Sequence, residues 1–198
     1  DYNRAIQDFD QALKLNPNSA QAYYNRGLAY RDKGDSGRAI ADFDQAIKLN
    51  SNSAVVLYNR GNAFYMKKDY DRAVADFNAA LKIEPQYAAA YNSRGLVFDE
   101  KRDYDRAIAD LSQAIRLNPR NTLTIYNRAM AYRAKGEPDR AVPDFDLVLK
   151  NTPNDAYAYQ NRGLAYRDMR DYDRAIRDFD SAIKINPNFS AAINDRGL

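Results

Sequence analysis

Residues 156–187 read AYAYQNRGLAYRDMRDYDRAIRDFDSAIKINP, and the fold follows from this stretch. In its first half Tyr159, Gly163 and Tyr166 fall at i, i+4 and i+7. In its second half Tyr172, Ala175, Ile176, Phe179, Ala182 and Ile183 keep a one-faced helical spacing. Both patterns predict amphipathic helices. Arg170-Asp171 interrupts the period, and Asp171 is suited to cap the second helix. Asn186-Pro187 ends it, because a residue before proline is pushed out of the helical region.

The rest of the chain repeats this unit. Pro85, Pro119, Pro153 and Pro187 are 34 residues apart, and Pro17 and Ser51 carry the register backwards. The same spacing holds for Gly27, Gly61, Gly95, Ala129, Gly163 and Gly197. It also holds for Ala5, Ala39, Ala73, Ala107, Ala141 and Ala175, and for Phe9, Phe43, Phe77, Leu111, Phe145 and Phe179. A helix–turn–helix unit of this period, with small, aromatic, small and proline positions, resembles the tetratricopeptide repeat family along the whole chain. The usual tryptophan-like position instead holds Tyr23, Leu57, Tyr91, Ile125, Tyr159 and Ile193.

The resemblance implies an all-α fold, an α-solenoid wound as a right-handed superhelix. The expected organisation is one solenoid domain over 1–198, with full repeats at 20–53, 54–87, 88–121, 122–155 and 156–189. Residues 1–19 are the second helix of a truncated repeat, and 190–198 begin another. The chain starts at Asp1 without methionine, so a cut N-terminus is expected. Residues 1–15 should then leave Ile6, Phe9 and Leu13 uncovered, a sticky end of the kind that repeat arrays normally cap.

Composition narrows the function. The net charge of +3 is spread through every repeat, which disfavours a nucleic-acid stripe. No apolar run approaches the roughly 18 residues of a membrane span. With no His and no Cys, the commonest general base, the thiol nucleophile and the usual zinc ligands are missing. No glycine-rich phosphate loop occurs. The expectation is a protein that is no enzyme and takes no cofactor or metal.

Two charge ladders invite explanation. Arg26, Arg60, Arg94, Arg128, Arg162 and Arg196 precede the small position, and Asp8, Asp42, Asp76, Asp110, Asp144 and Asp178 precede the aromatic one. Pairing each Asp with the Arg 18 residues later predicts bridges between repeats: Asp42 to Arg60, Asp76 to Arg94, Asp110 to Arg128 and Asp144 to Arg162. The rival partner is the Arg four residues earlier, such as Arg38 for Asp42. Asp-Phe-Asp triplets do not form carboxylate pairs, since i and i+2 face apart on a helix. The first-helix glycines, costly in a helix, suggest close contact with the alanines of the second helix. In the fourth repeat Pro138 suits a first helical position, whereas Pro143 should remove a bond to Asp139 and distort that repeat most.

In the family the first helices line a concave groove where partners lie. Matching positions here are Asn25, Asn59, Asn127 and Asn161, with Ser93 as a gap. Beside them lie Tyr24, Tyr58 and Tyr126, and one turn on Leu28, Asn62, Leu96, Met130 and Leu164. Amides donate and accept, so the row could grip the backbone of an extended peptide. The alternative is that the row satisfies neighbouring repeats. Tyr24, Tyr58 and Tyr126 stand where a C-terminal-carboxylate clamp would need lysine, which disfavours chaperone-tail binding. The leading expectation is a protein–protein interaction module holding a peptide or partner segment of unknown identity. The alternative is a structural spacer that self-associates head to tail.

Overall fold

A computed structural model describes residues 1–50 and 52–197; Ser51 and Leu198 lie outside the described residues. The described residues form helices α1 (Tyr2–Leu15), α2 (Ala20–Asp32), α3 (Ser36–Leu49), α4 (Ala54–Met66), α5 (Tyr70–Ile83) and α6 (Ala88–Glu100). They continue with α7 (Tyr104–Leu117), α8 (Thr122–Lys135), α9 (Pro138–Asn151), α10 (Ala156–Asp168), α11 (Tyr172–Ile185) and α12 (Ser190–Gly197). No strand occurs among them. The architecture is all-α, built of paired helices.

The chain divides into two compact units, Asp1–Val97 and Phe98–Leu198, with the division inside α6. In the first unit each helix from α1 to α5 packs on the next. In the second, α7 to α12 do the same. Within each unit the first helices of consecutive repeats also touch, α2 with α4 and α8 with α10. They therefore share one side of the unit.

The hairpin turn is the same device five times. The residue before each second-helix cap has positive φ: Gly34 (88°), Lys68 (60°), Arg102 (59°), Gly136 (86°) and Arg170 (63°). This left-handed residue turns the chain, so that the next amide reaches back into the first helix. Asp35 N donates to Tyr30 O at 2.8 Å, and Asp171 N to Tyr166 O at 2.9 Å. The caps then work as their chemistry requires. Asp35, Asp69, Asp103 and Asp171 accept from the backbone N–H of Arg38, Arg72, Arg106 and Arg174. Each of these arginines returns its side chain to the capping carboxylate. Each guanidinium also lies over an aromatic ring of the first helix, as Arg72 does over Phe64 at 4.4 Å. The rival pairing of Arg38 with Asp42 is therefore not the one formed.

Phe43 and Phe77 in the first unit, and Leu111, Phe145 and Phe179 in the second, are fully buried. So are Ala39, Ala73, Ala107 and Ala141. The nearest partner of Gly27, Gly61 and Gly163 is aromatic, and the expected alanine contact is met only at Gly163, where Ala175 O lies 3.2 Å from the Cβ position. A Cβ on Gly27, Gly61 or Gly163 would come within 2.7–2.8 Å of the ring of Phe43, Phe77 or Phe179. The glycines let the ring edge of the second helix lie on the first-helix backbone. In the fourth repeat Ala129 adds that methyl and is still fully buried. There the neighbouring Tyr126 and Phe145 meet edge to face at 74°, against 43° for Tyr24 with Phe43 and 47° for Tyr58 with Phe77. Helix α9 starts on Pro138 and runs through Pro143 for its full 14 residues, with Phe145, Val148 and Leu149 buried.

The face of α1 is not uncovered. Ile6 and Leu13 are buried and Phe9 is half-buried. Helix α1 turns its only apolar face onto α2, so no bare stripe remains.

Candidate functional site

The arginine ladder forms, with partners other than those expected. Arg60 Nε and Nη2 donate to the two oxygens of Asp76 at 2.8 and 2.6 Å, and Nη1 donates to Asp44 at 2.6 Å. Arg26 grips Asp42 and Asp10 in the same way, and Arg162 grips Asp178 and Asp146. Arg128 holds both oxygens of Asp144 and donates to Ser112 at 3.1 Å. Arg94 donates to Asn78. The bridges Asp42–Arg60 and Asp144–Arg162 are corrected: Asp42 and Asp144 belong to the arginines 16 residues earlier. Asp76 likewise belongs to Arg60 rather than Arg94, and Arg128 to Asp144 rather than Asp110.

The cause is antiparallel geometry. Arg26 and Asp42 each lie eight residues from the turn residue Gly34, so the folded hairpin sets them face to face. Arg60 and Asp44 are likewise equidistant from Asn52 in the loop between repeats. The two acids of Asp-Phe-Asp point apart, and so serve two different arginines. Hydrogen bonds to these acids hold the Arg26, Arg60, Arg128 and Arg162 guanidiniums above their usual pKa, against the opposing effect of burial.

The asparagine row divides. Asn59 and Asn161 are buried. Asn59 Nδ2 donates to Val55 O at 2.7 Å and to Tyr24 Oη at 3.2 Å, and its Oδ1 accepts from Arg31. Asn161 Nδ2 donates to Tyr157 O and Tyr126 Oη, both at 2.9 Å, and its Oδ1 accepts from Arg133 at 3.5 Å. Both hydrogens of each Nδ2 are used and each Oδ1 takes an arginine donor, with both residues buried. They clamp one repeat to the next through a Tyr–Asn–Arg triad, and burial keeps them from a guest backbone. Asn25 is half-buried and accepts from Gln21 at 2.9 Å; Asn127 is half-buried.

The tyrosines share this structural duty. Tyr24, Tyr58 and Tyr126 are half-buried, each with its ring against the phenylalanine of its own repeat. Burial pushes the phenols of Tyr24 and Tyr126 above their usual pKa, and that of Tyr87, tilted against the Tyr58 ring, up to about 12. Leu28, Asn62, Leu96 and Met130 are half-buried. Leu164 is a core residue packed with Tyr166, Ala175 and Phe179, and does not line a groove.

What the first helices leave open lies one turn earlier. Val55 (43% exposed), Leu123 (65%) and Tyr157 (62%) occupy equivalent positions at the start of α4, α8 and α10. They stand at i−3 from Tyr58, Tyr126 and Gln160, on the same face. Their shared 34-residue register, with Ala89 between Val55 and Leu123, was available in the sequence, but an outward apolar residue is only recognised once its neighbours are seen to be buried. In the first unit a recess beside Val55 is lined by Ala20, Gln21, Tyr24, Ala46 and Val56. Among the described residues no group of His, Cys, Asp and Glu could hold a metal ion. No described helix is long and apolar enough to cross a membrane.

The fold recurs in solved structures. The chain is similar to the structure of YrrB, described as "a TPR protein with an unusual peptide-binding site", at 27% identity and a TM-score of 0.82, over 96% of this chain and 98% of that one. It is similar to the MamA protein at 25% identity and a TM-score of 0.78, over 85% and 92% of the two chains. PilF of Pseudomonas aeruginosa shares the fold at 19% identity and a TM-score of 0.83, over 99% and 89%. No curated protein matches the chain at a significant level. Two family models described as tetratricopeptide repeat match, one over 54–87 and 156–189 and the other over 1–54 and 92–156. With the hairpin turn, the small-residue contact and these matches agreeing, the chain belongs to the tetratricopeptide repeat family.

Proposed function

We propose that this protein holds an extended segment of a protein partner along its first-helix side, through apolar and aromatic contacts rather than through an amide row. The fold supports a protein–protein interaction module, and proteins of this family are generally non-catalytic scaffolds. The observation that carries the finer reading is the strip on α8 and α10. Leu123 and Tyr157 are about two-thirds exposed beside half-buried Tyr126 and Met130. Side chains of this size turned to water, next to an aromatic platform, suit the centre of a recognition patch. The peptide-binding site named for YrrB lends the reading support. The single-array organisation, with repeats bounded at 20–53 through 156–189, belongs to the same proposal.

The test is peptide selection from a random linear library on the wild-type protein, followed by titration calorimetry of the recovered peptides. Leu123→Ser with Tyr157→Ser should weaken them at least about tenfold, a loss of ~1.4 kcal/mol. Undiminished affinity in that double variant would refute the proposed surface.

A further inference from the structure

The hairpin turns carry a cation at a fixed place. Lys33, Lys67, Lys101 and Lys135 recur every 34 residues, and 30 residues before them stand Asn3, Gly37, Asp71 and Asp105. In two of these pairs the bond is explicit. Lys135 Nζ reaches Asp105 at 2.8 Å in the second unit, and Lys33 Nζ donates to Asn3 Oδ1 at 2.7 Å in the first. At Lys67 the acceptor is missing, because position 37 is glycine. Among the described residues the Lys67 ammonium makes no hydrogen bond or ion pair.

Ser36-Gly37 departs from a repeated motif. The same two positions read Tyr-Asp at 70–71, 104–105 and 172–173. Serine removes the ring and glycine removes the carboxylate, so bulk and negative charge go together. An open recess in the first unit is lined there by Ser36, Gly37, Met66 and Lys67. Lys33, Arg38 and Asp35 line it as well. Arg38 neutralises Asp35, whose carboxylate it holds at 2.5 Å. Lys33 has only the neutral Asn3 as a partner, so the charge left over is that of two lysines. A Cβ on Gly37 would meet Asp35 Oδ1 no closer than 3.6 Å, so there is room for a group in the vacated place. Met66 is 58% exposed.

We propose that this recess, on the hairpin-turn edge of the first unit, is a second interaction site that takes a glutamate or aspartate side chain from an acidic segment of a protein partner. The guest carboxylate stands at Lys67 as Asp105 stands at Lys135. Two ammonium groups without an acid attract an anion most strongly at low salt. Met66 adds an apolar contact beside the charge. The site does not depend on the strip at Leu123 and Tyr157, which belongs to the second unit.

The test is an NMR titration of the isotope-labelled full chain with a capped decaglutamate peptide at low salt, and with decaglutamine as the control. The amide signals of Ser36, Gly37 and Lys67 should move with decaglutamate and stay in place with decaglutamine. Lys67→Gln and Gly37→Asp should each weaken binding about threefold. The first removes the cation, and the second supplies its acid from within the chain. Gly37→Ala and Lys48→Gln should bind as wild type does, since one adds no acid and the other removes a charge elsewhere. Unmoved signals at Ser36, Gly37 and Lys67 would overturn the proposal. An equal loss in Lys48→Gln would also overturn it, because binding would then follow net charge. Inorganic phosphate at equal ionic strength should not reproduce the shifts; if it does, the recess is a phosphate site and the carboxylate reading falls.

Urea unfolding gives a readout that needs no ligand. Gly37→Asp should raise the midpoint, and the gain should shrink when Lys67 is replaced by glutamine. The same gain with and without Lys67 would show that the two positions do not meet, and would overturn the site.

Discussion

Arg60 shows how one side chain ties helices together. Its guanidinium holds Asp76, which is buried, and Asp44, which is half exposed. The two contacts should differ in weight. Arg60→Ala leaves the Asp76 charge buried and unpaired, and should cost about 3 kcal/mol in urea unfolding. Asp44→Ala breaks a solvated contact and should cost less than about 1 kcal/mol. Equal effects would show that the inner pair is not desolvated as described. Asn59 offers a second test at this scale. Its amide is engaged by Tyr24, Val55 and Arg31, so Asn59→Ala should lower stability by about 1–3 kcal/mol. Partner affinity should stay unchanged wherever the variant is folded. Gly61→Ala should destabilise by about 1–3 kcal/mol, since the new methyl meets the Phe77 ring at 2.8 Å. Ala129 shows that the hairpin can take this methyl when Phe145 sits differently.

At the scale of the element, the helices were legible because their apolar positions recur at helical spacing, and Asp-rich starts and proline ends marked their limits. The hairpin turn was not legible in full. Lys68, Arg102 and Arg170 adopt a left-handed conformation that propensity assigns to glycine. The equivalent Gly34 and Gly136 were the sequence signal for it. Replacing Lys68, Arg102 or Arg170 by glycine should relieve backbone strain and raise stability by up to about 1 kcal/mol each, seen as a higher urea midpoint. A drop would mean that the stems of these side chains contribute packing that outweighs the strain. The caps set an acid limit. Hydrogen bonding to Arg72 holds Asp69 below its ordinary pKa, and bonding to Arg106 and Arg174 does the same for Asp103 and Asp171. Groups depressed on folding contribute stability that is present above the unfolded value and lost as pH falls through the folded one. Asp99 has the opposite sign. Its folded pKa is raised, so its penalty is absent below the unfolded value and complete above the folded one. Asp99→Asn should therefore gain most relative to wild type near neutral pH.

For the whole chain, the 34-residue period was enough to give fold class and family. It could not say which of two nearby acids an arginine takes, because spacings of 16 and 18 both fall within reach along the sequence. Only folding about Gly34 and its equivalents separates Asp42 from Asp44. The asparagine row itself was legible, but not which way its amides face. A polar row at regular spacing looks the same whether it faces a guest or the next repeat. Burial of Asn59 and Asn161, and exposure of Leu123 and Tyr157, separate the two. The most direct measurement compares a library-selected peptide on three proteins by calorimetry: wild type, Leu123→Ser/Tyr157→Ser, and Asn59→Ala. The account predicts that the double serine variant loses at least about tenfold in affinity while Asn59→Ala binds as wild type does. Loss of binding in Asn59→Ala with full affinity in the double variant would contradict it.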